Sequence, residues 1–283
     1  MKRSTQNMAL PVILFVSIFF FSACTLVSPR LSKTSKNIRT SSEAAAAVSI
    51  LKRQNQTLTT FKGLGRIIFL GREGKEVATR IAWVASVPDK MRITLSSISG
   101  QPIISAASDG QWLYLISYAK GDFYKKRATN SNMKHFFSIS IRSQDIVDLL
   151  AGRVPFEKYH SAVLIKNKSL STSSGEGFDT AESSSPMNYE HGDILILKDK
   201  WDNVLEKIHF NRRRDAQTVE MFNATGTLLY RVEFYKMQQI NAYRVPSRLQ
   251  VSNDDGQGFM LDLERYWADA RVSPSVFTLT PPK

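Results

Sequence analysis

One cysteine, Cys24, is all that this 283-residue chain contains, so no disulfide can form within a single copy. Any stability has to come from buried apolar surface and strand pairing. Histidine is nearly as scarce. His135, His160, His191 and His209 are scattered without the paired spacing of a metal site, and with no second thiol a metal would need carboxylates gathered from afar. No G-x-S-x-G elbow and no P-loop is present. Gly63-Leu64-Gly65 opens a strand and lacks both the third glycine and the following helix of a dinucleotide fingerprint. Asp254-Asp255-Gly256 reads as a hairpin turn, not a catalytic carboxylate pair, and Arg212-Arg213-Arg214-Asp215 reads as a solvated turn. These absences argue against an enzyme, and neither a cofactor nor a metal is implied. Long apolar runs are missing as well: the longest, Ala9 to Ala23, has fifteen residues. That is short of the ~20 that span a ~30 Å hydrocarbon core. Acidic residues are in deficit, which leaves a formal charge of +13.

What is present begins at the N-terminus. Met1-Lys2-Arg3 is basic, the apolar run follows, and Phe21-Ser22-Ala23-Cys24 closes it with small residues before the lone thiol. A basic start, an apolar centre and small residues at the end mark an export signal. The cysteine after the small pair resembles the lipobox of bacterial lipoproteins, with Phe21 where leucine is usual. The resemblance implies that 1–23 is a signal peptide, that Cys24 becomes the lipidated first residue, and that a flexible tether over 24–42 follows. Thr25 stands where aspartate would signal retention at the inner membrane, so the outer membrane, on its periplasmic face, is the expected location. The basic surface then suits a lipid surface, and export argues against nucleic acid.

Downstream, Thr40 and Glu43 fit a capping box, and Ala44, Ala47, Val48 and Leu51 share one face of a helix that ends near Asn55. From Phe61 the pattern becomes β. Strands are predicted at 61–71, 76–86, 90–97, 102–107, 111–118 and 122–126, and again at 193–198, 204–211, 217–223, 227–236, 242–251 and 257–266. Met133 to Phe137 can add a turn of helix. A further helix capped by Ser143 buries Ile146, Leu149 and Leu150 before Gly152 and Pro155 stop it. Between Ser169 and Ser185 nine of seventeen residues are Ser or Thr, which predicts a disordered insertion near 167–188 within a single domain over 43–283. Eleven or twelve strands with two or three helices make an α+β chain dominated by one antiparallel sheet.

Three stretches resemble the LolA/LolB lipoprotein-carrier superfamily. One is Ala82-Trp83 with Pro88 to Gly100, where a tryptophan strand and a leucine-bearing strand lead to an exposed apolar residue before glycine. A second is Ile141 to Pro155, a helix ending in Gly-x-x-Pro. The last is Phe277-Thr278-Leu279-Thr280-Pro281-Pro282. Ser96-Ser97 replaces the Asn-Pro of LolB, and the Ser-rich insertion is foreign to it. The resemblance implies a curved, incomplete β-barrel of about eleven strands with helices covering its open, concave side. It also implies a cavity for the acyl chains of lipoproteins or other lipids, and exchange with a LolA-like periplasmic carrier. Ile67, Phe69, Ile93, Leu95, Trp112 and Tyr114 are then the expected cavity wall, and Ile98 the residue of a membrane-insertion loop. Pattern alone lends support, because Ile67 to Leu70 and Gln111 to Tyr118 are apolar on both faces, where a sheet wetted on one side would alternate. Helices on both faces would satisfy the same pattern. The competing expectation is a structural or regulatory lipoprotein of this fold that binds a protein or polysaccharide and has no open cavity.

Overall fold

In a computed structural model, residues 38–39, 41–71, 76–167 and 192–282 are described, and all lie within one unit over 36–283. Cys24, the signal, most of the tether and nearly all of the Ser-rich insertion fall outside the described residues. The strands are β1 (Ile38–Arg39), β2 (Thr60–Leu70), β3 (Glu76–Ser86), β4 (Lys90–Ser96), β5 (Pro102–Asp109), β6 (Trp112–Ser117), β7 (Asp122–Arg127), β8 (Ser161–Ile165), β9 (Ile194–Lys198), β10 (Val204–Phe210), β11 (Ala216–Phe222), β12 (Leu228–Ile240), β13 (Tyr243–Ser252) and β14 (Gly258–Ala268). The helices are α1 (Ser41–Arg53), α2 (Asn130–Phe137) and α3 (Ser143–Leu150), and a 3-10 turn covers Pro274–Phe277.

All fourteen strands form one antiparallel sheet, so the expected count of about eleven is corrected upward. The strands added are β1 and β8, which pair with each other. The order is β1-β8-β9-β10-β11-β12-β13-β14-β2-β3-β4-β5-β6-β7, and the sheet does not close. The chain meanders from β2 to one edge at β7 and then crosses to the far side through α2 and α3. It meanders back from β8 to pair β14 with β2. A connection that joins opposite ends of a sheet must cross one of its faces. Ile146, Val147, Leu149 and Leu150 of α3, with Ala44, Val48 and Leu51 of α1, bury in the same core as the inward residues of β2, β3, β10, β12 and β13.

Local chemistry fixes the helices there. Ser143 is the first residue of α3 and not its cap. Arg142 occupies that place, and its backbone N–H donates to Asp145 Oδ2 at 3.3 Å. Gly152 ends the helix in the left-handed region at φ 70°, as its position after Leu150 predicts. Beside it, the Asn55 side-chain amide donates to the carbonyls of Ala151 and Arg244 at 2.7 Å each, and Arg153 donates to the Asn55 carbonyl at 2.7 Å. One asparagine thus ties the ends of α1 and α3 to β13. Gly63 also has a steric reason: the Trp83 ring lies where its side chain would start.

A buried polar group sits where α3 meets β10 and β12. Arg142 grips Asp145 at 2.7 Å through Nη2 and Glu157 at 2.8 Å through Nη1. Glu206 and Tyr230 lie beside them, fully buried, and neither the Glu206 carboxylate nor the Tyr230 hydroxyl has a hydrogen-bond partner of ordinary geometry. Burial, reinforced by Asp145 and Glu157, pushes the Glu206 carboxyl well above the usual carboxylate range; the Glu157 backbone amide and Arg142 offset this only in part.

Candidate functional site

Strand alternation sends odd-numbered residues of β2, β3 and β4 to one face. Register then stacks them into rows. Phe259 pairs with Phe69 and Leu261 with Ile67 across β14 and β2. Ile81 faces Leu95, which faces Ile104. Ile93, Ala106, Leu115 and Tyr124 form a further row from β4 to β7. Side chains from seven neighbouring strands meet around one cavity of about 500 Å³, so the sheet curls around it. Ile146 and Leu150 of α3, with His135 and Phe137 of α2, also line it. Thirteen of the sixteen lining residues are purely apolar, and the exceptions are Tyr124, Lys126 and His135. Such a space can hold hydrocarbon, and its size is that of a small-molecule pocket. On the same strands Phe61, Met91 and Leu113 are completely buried. Phe69, Ile93 and Leu95 remain half-buried on its wall. Among the described residues no three His, Cys, Asp or Glu side chains gather as metal ligands.

Four of the six expected wall residues, Ile67, Phe69, Ile93 and Leu95, line this cavity. Trp112 and Tyr114 do not, and their assignment to the wall is corrected. They point to the opposite face, where Tyr114, Ile116 and Ala107 pack on Leu279 of the C-terminal segment. Tyr114 donates to Asp109 at 2.8 Å, and Lys125 and Arg127 lie over the Trp112 ring. Strand β6 is apolar on both faces because its two faces serve two separate cores. Leu115, one residue out of phase, reaches the cavity. The inward row on β5, Ile104 and Ala106, and the helical residues His135 and Phe137 were missed. His135 sits on α2 with its side chain exposed.

Ile98 stands at the tip of the β4–β5 hairpin and is 91% exposed. Gly100 N–H donates to the Ser97 carbonyl at 2.9 Å, Ser97 N–H donates to the Gln101 carbonyl at 2.8 Å, and the Ser97 and Ser99 hydroxyls meet at 2.8 Å. The small polar residues close the turn among themselves and leave the isoleucine outside. Val77, 64% exposed, stands at the same end of the sheet, opposite Phe69. No helix among the described residues is long and apolar enough to cross a membrane.

The sequence matches no protein-family model and no curated protein. The structure is similar to that of a LolA superfamily protein from Nitrosomonas europaea, with a TM-score of 0.53 at 14% identity, over 82% of this chain and 97% of that one. It is also similar to a protein described as an outer membrane lipoprotein-sorting protein domain from Vibrio parahaemolyticus, with a TM-score of 0.50 at 14% identity, over 83% of this chain and 94% of that one. The fold is therefore LolA/LolB-like.

Proposed function

We propose that this chain is a lipoprotein held in the outer membrane by a lipid on Cys24, and that it binds acyl chains of lipoproteins or other lipids in the periplasm as a LolB-like receptor or carrier. The observation that carries this reading is the cavity of about 500 Å³, walled almost wholly by hydrocarbon, on a LolA-like sheet. Residues of α2 and α3 also line it, which supports the reading of these helices as its cover. Each CH₂ moved from water into such a space contributes ~0.8 kcal/mol, so a single long chain supplies enough free energy without any covalent chemistry. Saturable binding of a fluorescent fatty-acyl probe tests this reading against that of a closed interaction protein of the same fold, which binds none.

Anchoring is tested separately. Cys24→Ala protein is expected to leave the outer-membrane fraction after a high-salt wash, appearing unprocessed or soluble. Its retention there would remove Cys24 as the anchor.

Delivery is assigned to the hairpin tip. Burying one isoleucine contributes ~1.5–3 kcal/mol, enough to bias docking on a bilayer without fixing it. Ile98→Glu is expected to leave folding and probe binding intact while reducing transfer of acylated cargo into outer-membrane vesicles. A folded variant with unchanged transfer would take Ile98 out of the mechanism.

A further inference from the structure

Strand β7 carries three cations in succession, and alternation divides them between two environments. Lys125 and Arg127 face outward, at 4.6 and 4.3 Å from the centre of the Trp112 ring. Lys126 turns the other way and joins the cavity wall next to Tyr124. His135 of α2 lines the same cavity. No lining residue is acidic, and among the described residues Lys126 has neither an ion pair nor a hydrogen bond. The wall is thus hydrocarbon with one ammonium group, the exposed Lys126, and no acidic side chain beside it on the wall.

We infer that the ligand is an acyl chain ending in an anionic head group, a carboxylate or a phosphate ester, with Lys126 as its head-group contact. This rests on the acyl-binding reading above and names its ligand class. A neutral hydrocarbon guest gains nothing from an ammonium group. An anionic head, by contrast, makes charge-assisted hydrogen bonds to it, while its chain lies along the apolar rows. Strand β7 is the last in the sheet, where a charge also discourages pairing with another copy. That role alone would leave affinity indifferent to the charge of the ligand.

The test uses the full chain carrying Cys24→Ala, loaded with the uncharged fluorophore N-phenyl-1-naphthylamine. Palmitate, hexadecyl phosphate and hexadecanol, equal in chain length, compete for it. At least one of the two anions is expected to compete about tenfold better than the alcohol, and which of them does so identifies the head group. Lys126→Met is expected to bring the anions down to the level of hexadecanol without changing hexadecanol itself. Equal competition by all three in the parent chain, or a gap that survives Lys126→Met, would overturn the subsite while leaving the acyl cavity standing. Failure of all three to displace the fluorophore would overturn the acyl cavity, and the subsite with it.

Discussion

Arg142→Met is expected to lower the unfolding free energy by about 3–5 kcal/mol, the cost of leaving the buried Asp145 carboxylate without its cation. Asp145 is only 3% exposed at its side chain, and Arg142 binds it through two nitrogens while holding Glu157 with the third. Methionine keeps much of the stem and its packing and removes the charge. Arg142→Lys should recover part of the loss, because an ammonium group supplies charge without the planar fork that serves two carboxylates at once. Denaturant midpoints at neutral pH measure both. A loss below about 1 kcal/mol for Arg142→Met would place this cluster among ordinary surface ion pairs.

The neighbouring carboxyl has the opposite effect. Glu206 on β10 is enclosed by Asp145 of α3, Glu157 of the following loop and Tyr230 of β12, with Arg142 as the opposing charge. Burial raises its pKa in the folded chain above the unfolded value. A raised carboxyl contributes stability that is fully present below the unfolded pKa and lost as pH rises through the folded one. Glu206→Gln removes that dependence. The variant is expected to be more stable than the parent at pH 8 by on the order of 1–3 kcal/mol, with the difference closing towards pH 4. Thermal melts across this range decide the matter. A variant less stable than the parent at pH 8 would mean that ionised Glu206 is held by its surroundings and not merely tolerated.

Much of the frame was legible because each strand of the two meanders contacts its sequence neighbour. The run Glu76–Ser86 is bounded as predicted, and the helix over Ser41–Arg53 follows from the spacing of Ala44, Val48 and Leu51. Strand β8 was not legible. It has only five residues, and its pairing with β9 spans the Ser-rich stretch, so no local turn announces it. The position of Trp112 and Tyr114 failed for a different reason. Period-two alternation says which residues share a face but not which face looks inward. For β6 that depends on Leu279 coming back from the end of the chain to cover Tyr114. The two aromatics promised a cavity wall, whereas the less conspicuous Leu115 and Ala106 provide it. Ile98 was legible because it falls out of phase with Met91, Ile93 and Leu95, and the turn closed by Ser97 holds it outside.

The account turns on whether the cavity behind Leu95 holds an acyl chain. The most direct measurement is a fluorescence titration of a fatty-acyl probe into the full chain carrying Cys24→Ala, run beside the same chain with Leu95→Glu. Leu95 lies on the cavity wall between Ile81 and Ile104, and a carboxylate there would sit among hydrocarbon facing the ligand. The predicted result is saturable binding by the parent and binding weakened about tenfold or more by Leu95→Glu, with circular dichroism unchanged. Probe binding that never saturates in the parent, or that Leu95→Glu leaves untouched, would contradict it.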